Sequence, residues 1–571
     1  MLFFFLCASM LSGVPTVDAI EGDLASRDAA IDAEWSALSD RAGLERKREA
    51  FKAGFRKATG FGKIRRTPLN AKLLGVKSYG AFRIEKVMME SAPGAFVPLL
   101  VFLPDPAKFA PPYAGFVFIP GHSDEGKGAA SYLHTCELGA RHGLASVIYD
   151  PLGQGERSQG AGLRNVQEHV RIGEYAVLLG ETTATYMLRD ASRVLDYLES
   201  RPDVDGARLG VCGQSGGGTI SAYLMTADDR IKAAVPTCYL SSAREHILAC
   251  GPQDAEQNFF GWCSWGFNHA AMILSAGCPV MINASVGDFF QIEGSRSTYG
   301  IVKGVAKSVG IPDGWYGLSE NPGPHSMSKS HREEAIRFLL EHLDNVTQPV
   351  VEADTVDFAP DDHTVTPNGD VYRLGGFRSV YDEIADRFVE LGVSAEQAAV
   401  NARPLVLEEA AGDAVKDVLA TLGGNIEKGT RAVLRIGGPA TPGEATAVLF
   451  AEGARYLRKP SRKGKSSYYE RRGDDEVVAV DLYIAGRSLV ALRAAELLAL
   501  SAELKRRTGL APEIVVSGRF SNVAMFALAA APDAFASVKY EDEPEPFLGS
   551  LKSRRAMPFA VSGAMFSGKG E

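Results

Sequence analysis

Along the chain, short apolar runs alternate with longer stretches in which apolar residues recur every three or four positions. Runs at 82–89, 96–102 and 115–119 predict strands, and the proline-bounded segment 104–112 divides the second from the third. Further strands are expected at 145–149, 208–212, 233–237 and 280–286. Helical spacing marks 183–199 and 219–227, and 332–344 predicts a closing helix. Residues 21–60 are charged and alanine-rich with the same spacing, and predict a pair of surface helices. Apolar strands without polar alternation need cover on both faces. The alternation of strand and helix therefore predicts an α/β protein with a mostly parallel sheet.

Residues 346–375 are polar, rich in Pro, Asp and Thr, and lack an apolar period, so they are expected to form a linker. A second set of strand and helix patterns follows in 376–571, with strands at 432–436, 446–451, 477–481 and 513–517. This set resembles a worn copy of the first. The run Asp150…Gly155…Ser158 is echoed by Asp481…Gly486…Ser488, and Gly213-Gln214-Ser215 by Gly518-Arg519-Phe520-Ser521. From Gly155 to Gly213 is 58 residues, but from Gly486 to Gly518 only 32, so the copy lacks about one helix and its loop. At roughly 150 residues per domain the length alone suggests three or four domains. The repeat reduces that to a leader (1–19), a unit from 20 to 345, the linker, and a second unit to 571.

Composition adds exclusions. A chain that is 46% hydrophobic and 23% charged is globular. With 61 Lys+Arg against 70 Asp+Glu, a nucleic-acid or membrane-surface partner has no electrostatic support. The last histidine is His363 and the last cysteine Cys278, which confines imidazole and thiolate chemistry to the first two thirds. The apolar run 2–11, with Ser12, Gly13 and the small-residue site Val17-Asp18-Ala19, predicts a secretory signal peptide, although no Lys or Arg precedes it. Secretion, or export to the periplasm, is the expectation. Without that segment six cysteines remain, an even number that permits disulfides. Cys212, Cys238 and Cys278 lie in apolar runs and are expected as buried thiols, whereas Cys250 and Cys263 are the better candidates for a pair. No CxxC or local His/Cys ligand spacing occurs, so neither a metal nor a cofactor is expected.

The chemistry-bearing pattern is Gly213-Gln214-Ser215-Gly216-Gly217, placed after a predicted strand and before a predicted helix. A nucleophilic serine on a sharp turn needs flanking glycines because the turn is strained and closely packed. The string alone is a weak signal, and its setting and downstream partners strengthen it. An apolar strand ends at Val286-Gly287-Asp288, which supplies a candidate acid; Glu293 and Asp313 are alternatives. The loop Asn321–Ser326 before the last helix supplies His325 as candidate base, with His331 as its alternative. His246 and His269 precede the acid strand and stand in the wrong order. His325 would take the Ser215 proton, and Asp288 would hold the imidazole in the useful tautomer. Two backbone donors for an oxyanion are expected: Gly216, and His122 or Ser123 in the turn after strand 115–119. Gln214 and the aromatic cluster Phe259, Phe260, Trp262, Trp265 and Phe267 are candidates for substrate contact, with ordinary lid packing as the other reading of the rings. Residues 159–182 form a further segment that could cover the site.

The Gly-Gln-Ser-Gly-Gly-Gly elbow, the stretch Gly287–Gly294, the run Gly323–Lys329 and the Pro120-Gly121-His122 turn resemble the acetyl xylan esterase-like branch of the α/β-hydrolases, the branch grouped with prolyl-oligopeptidase-like hydrolases. The resemblance covers residues 75–345. It implies a secreted serine esterase acting on ester-decorated polysaccharide, with nucleophile Ser215, acid Asp288 and base His325. Other readings share these residues: a methylesterase on uronic-acid polysaccharide, of pectin or glucuronoyl type, and a peptidase of the same fold. A scaffold of two worn domains that binds carbohydrate without catalysis is the non-enzymatic reading. The second unit carries Phe520 where the nucleophile would stand and has no histidine, and so is expected to be a degenerate α/β-hydrolase-like domain.

Overall fold

The structure, a computed structural model, describes residues 17–242, 244–246, 254–259, 261–262, 265–353, 355–392, 395–411, 413–424, 426–437, 441–449, 479, 482–483, 486–518 and 520–541. They fall into two compact units. One holds 25–173 and 181–383; the other holds the described residues of 1–24, 174–180 and 384–571.

The larger unit is built on nine strands: β1 (Lys72–Ser78), β2 (Phe82–Ala92), β3 (Ala95–Pro104), β4 (Tyr113–Ile119), β5 (Ala145–Tyr149), β6 (Val204–Gln214), β7 (Ile231–Thr237), β8 (Val280–Ser285) and β9 (Tyr316–Asn321). Their order is β1-β2-β3-β5-β4-β6-β7-β8-β9. The first three form an antiparallel meander, β3 runs antiparallel to β5, and every pairing from β5 to β9 is parallel. Every residue of β4 and β5 is buried, as strands covered by helices on both faces must be. The strands expected in this unit are all present: five extend beyond the expected bounds, β5 keeps them, and β8 stops one residue short. Two strands were hidden in the pattern. On the edge strand β1, Leu73, Leu74 and Val76 are exposed, so nothing enforced an alternation. In β9 a serine, a glutamate and an asparagine interrupt the apolar residues.

Among the helices are α1 (Val17–Ser36), α2 (Arg41–Ala58), α3 (Ala130–Arg141), α4 (Asn165–Ala176), α5 (Thr183–Glu199) and α6 (Gly216–Ala227). Helix α2 starts at Asp40, whose side chain accepts from Gly43 N at 2.8 Å. It is more than a surface helix: Phe51 and Phe55 are buried, and their rings lie 6.0 and 5.9 Å from that of Phe267. On one face of the sheet, Phe116, Phe118, Leu100 and Phe102 pack with Leu133 and Cys136 of α3. Ile336, Leu339 and Leu340 of the helix Lys329–Asp344 complete that core.

The segment 346–375, expected as a linker, is packed into this unit. Val350 and Val365 join the same core, and Phe358 lies against it. Arg332 pairs with both carboxylate oxygens of Glu352. Val365 N and Thr366 N donate to Glu156 at 2.8 and 2.6 Å. Polar composition here reflects backbone held by side chains in place of an apolar period.

The smaller unit carries a four-stranded parallel sheet in the order β11-β10-β12-β13, from β10 (Val433–Ile436), β11 (Ala445–Thr446), β12 (Glu513–Val516) and β13 (Ser537–Tyr540). The helix Leu489–Thr508 leads into β12, and the helix Phe520–Ala530 lies between β12 and β13. Residues 477, 478, 480 and 481 of an expected strand lie outside the described residues, as do residues 1–16 of the leader. No described helix is long and apolar enough to cross a membrane. Cys136, Cys212, Cys238 and Cys278 are free and buried, whereas Cys7, Cys250 and Cys263 lie outside the described residues.

Candidate active site

Strand β6 ends at Gln214 and α6 begins at Gly216, so Ser215 alone makes the turn, at φ 58° and ψ −123°. A residue with a Cβ is strained there by about 1–3 kcal/mol, and the surroundings must impose the conformation. They do so through Ser215 N, which donates to Thr237 O on β7 at 3.0 Å, and Ser215 O, which accepts from Thr219 N at 2.9 Å. Packing adds to this. A Cβ on Gly217 would stand 1.8 Å from Ile119 O, and one on Gly121 would stand 2.4 Å from Gln214 O. The end of β4 is thus pressed onto the elbow, and only glycine fits at these two positions.

Asp288 lies three residues beyond β8 and His325 four beyond β9, two parallel neighbours, so both loops leave the same edge of the sheet. His325 Nδ1 lies 2.9 Å from each Asp288 oxygen. The Asp288 side chain is almost fully buried, whereas that of His325 is 20% exposed. Because the carboxylate accepts, Nδ1 carries the proton and Nε2 presents its lone pair. That lone pair receives the Gln214 Nε2 amide at 2.9 Å, and Gln214 Oε1 accepts from Tyr132 OH at 2.7 Å. Among the described residues, Gln214, and not Ser215, is the side-chain donor to His325 Nε2.

The alternative bases are structural. His331 is fully buried, bonded to Ser285 Oγ at 3.1 Å and Ser328 Oγ at 2.6 Å, and burial pulls its pKa down to about 4. His269 Nδ1 donates to Ser241 O at 2.9 Å, and burial pulls the ring to about 4; burial takes His246 to about 3. Of the alternative acids, Glu293 lies in the first turn of the helix Ile292–Ser308, and His325 pairs with Asp288, not with it or Asp313.

Of the two amides expected beside Gly216, that of Ser123 donates to Gln154 Oε1 at 2.8 Å and is committed. Gly216 supplies the first amide of α6, which has no acceptor within the helix. Trp262 is buried against Phe267 and His269, and Trp265 packs on Phe51, Phe259 and Phe267. These rings fill the space that docks α2, which is the packing reading; Phe260 lies outside the described residues. Among the described residues, an aromatic that stays open beside the site is Phe289, 37% exposed with its ring centroid 4.4 Å from that of His325. It follows Asp288 directly in sequence, a position that could have flagged it. Nothing local in the sequence pointed to Tyr132, His169 or Glu256. Two groups of donors come close enough to hold a metal: Cys238, Asp288 and His325, and His122, His169 and Glu256.

No family model matches the chain. It is 29% identical over 295 residues to the protein named "Putative hydrolase YtaP" of Bacillus subtilis (strain 168), covering 49% of this chain and 94% of that one. Among solved structures it is similar to the methylesterase BT1017, at 20% identity and a TM-score of 0.48, over 64% of this chain and 78% of that one. It is also similar to a glucuronoyl esterase from Solibacter usitatus, at 18% identity and a TM-score of 0.40, over 48% of this chain and 86% of that one. The strand order, the strained serine turn after β6 and the succession of Ser215, Asp288 and His325 along the chain give the larger unit the α/β-hydrolase fold.

Proposed function

We propose that the protein is a serine carboxylic-ester hydrolase. The observation that carries this is the Ser215 elbow, held in its strained conformation at the sheet edge where His325 is paired with Asp288. Ser215 Oγ attacks the ester carbonyl while His325 Nε2 takes its proton. The alcohol leaves with that proton, and water then releases the acyl group by the reverse relay. The Gly216 and His122 amides receive the developing oxyanion. Asp288 fixes the ring and stabilises the imidazolium.

The favoured substrate is an acetylated polysaccharide, met outside the cytoplasm after removal of residues 1–19. The reading rests on the resemblance of the elbow, acid and base segments to acetyl xylan esterase-like hydrolases. The region 376–571, most of which belongs to the smaller unit, is read as a worn copy with no base of its own, since no histidine follows His363.

The test is labelling with a fluorophosphonate, followed by assay on acetylated and methyl-esterified polysaccharides with acetate and methanol measured together. One label per chain, lost in Ser215→Ala and His325→Ala, is expected, with acetate as the product. Labelling that persists in Ser215→Ala would sink the esterase reading. Methanol without acetate would move the substrate to a uronic-acid methyl ester.

A further inference from the structure

Beside the elbow, three donors from distant parts of the chain converge. His122 Nε2 lies 3.1 Å from His169 Nδ1, 3.4 Å separates His122 Nε2 from Glu256 Oε1, and 3.4 Å separates His169 Nδ1 from Glu256 Oε2. His169 and Glu256 are fully buried, and neither Glu256 oxygen accepts a hydrogen bond.

The outer partners decide which way the protons face. His169 Nε2 lies 2.8 Å from Leu152 O, a carbonyl that can only accept, so this nitrogen holds the ring's proton. His122 Nδ1 lies 3.0 Å from Asp254 Oδ2, which fixes that ring in the same sense. In their neutral forms both rings turn a lone pair inward, toward each other and toward a buried carboxylate. Three acceptors facing one another repel unless a cation sits among them. A carbonyl or a carboxylate on the far nitrogen is also the outer shell that orients a metal-bound histidine.

The spacing suggests the ion. Donors held at about 2.0–2.1 Å around a tetrahedral centre stand about 3.3 Å apart. The two imidazole nitrogens, 3.1 Å apart, match one edge of such a tetrahedron, and the carboxylate, which sets one oxygen 3.4 Å from each nitrogen, stands near the third corner, with the fourth left for water or substrate. We propose that His122, His169 and Glu256 form a divalent transition-metal site, suited to zinc by its two imidazoles and one carboxylate. The site abuts the elbow: a Cβ on Gly216 would meet His122 Cε1 at 2.6 Å and Glu256 Oε1 at 3.1 Å. A bound ion would therefore place positive charge next to the amide that faces the oxyanion. The expectation of no metal rested on local spacing, and these ligands stand 47 residues and more apart.

Metal content tests this without activity. The full chain is stripped with chelator, given one equivalent of zinc, gel-filtered and analysed by mass spectrometry. Cobalt substitution is followed in parallel by its visible spectrum. About one zinc per chain and a tetrahedral cobalt band are expected. Glu256→Gln and His169→Ala should weaken zinc binding by more than about tenfold, and Asp254→Asn by about 10- to 100-fold. Ser215→Ala should bind zinc like the native chain, which separates failure of this site from failure of the esterase reading. Less than a tenth of a zinc per chain, or equal binding by Glu256→Gln, would overturn the proposal and leave a shared proton as the cation.

Discussion

Gln214 Nε2 lies 2.9 Å from His325 Nε2, on the ring edge opposite the Asp288 carboxylate. The amide occupies the lone pair that accepts the Ser215 proton in the proposed mechanism, in which Gln214 has to yield before attack. Removing a neutral hydrogen bond shifts such a balance by about 0.5–1.5 kcal/mol. Gln214→Met, which keeps the length and loses the donor, should therefore speed single-turnover acylation about two- to tenfold. Tyr132→Phe, which loosens the anchor on Gln214 Oε1, should act in the same direction and less strongly. A tenfold slowing in Gln214→Met would show instead that the amide holds the base in place for catalysis.

The elbow stores strain that a glycine would not feel. Ser215→Gly removes the proposed nucleophile and the Cβ together, and at φ 58° it should leave an inactive protein more stable by about 1 kcal/mol. Gly217→Ala should do the reverse, because its Cβ would stand 1.8 Å from a backbone oxygen that cannot step aside. Its expected outcome is insoluble protein. Differential scanning calorimetry of Ser215→Ala, Ser215→Gly and the native chain decides the first point, and a Tm for Ser215→Gly below that of Ser215→Ala would refute it.

Three buried histidines set an acid limit. Burial holds His246 near 3 and both His269 and His331 near 4, against an ordinary value of 6.5. Between about pH 6.5 and 4 the unfolded chain thus binds protons that the folded chain refuses. The stability tied to the neutral rings is complete above pH 6.5 and drains away as the pH falls toward 4, by up to about 1.4 kcal/mol per pH unit for each ring. Urea unfolding at pH 7.5, 6 and 5 should show this slope, and His331→Gln should remove about one proton from it. A stability that stays level from pH 7.5 to 5 would contradict the burial of these rings.

How much of this was legible beforehand depended on whether the constraint was local. Ser215, Asp288 and His325 each follow the end of a strand, and apolar runs mark strand ends well, so their positions in the fold were legible. The parallel sheet followed from β4 and β5, whose mostly apolar runs lack polar alternation and allow no exposed face. Gln214 was suspected of touching substrate, but its grip on His325 depends on Tyr132, 82 residues away. Trp265 looked like part of a platform because two of its partners, Phe51 and Phe55 on α2, lie some two hundred residues upstream. His122, His169 and Glu256 carry no shared spacing at all. Segment 346–375 misled for a related reason: its contacts are made one residue at a time, by Glu352, Phe358 and Thr366, and leave no period to read.

That last segment gives a direct test of packing against composition. Phe358 lies edge-on to Tyr79 and Phe102, with ring centroids 5.5 and 6.1 Å away, and 6.5 Å from Phe82. In a solvated linker Phe358→Ala would change stability by less than about 0.5 kcal/mol. In the packed position it removes a partly buried ring from an aromatic cluster, and should cost about 2–4 kcal/mol. Glu352→Ala should cost about 3–5 kcal/mol, because it leaves the buried Arg332 guanidinium without its carboxylate. The two sites share no partner, so their effects should add in the double variant. Urea midpoints with unchanged slopes give the numbers. If both single variants unfold with the native midpoint, then 346–375 is the linker that its composition suggests, and the cover it provides over β2 and β3 is not part of the folded unit.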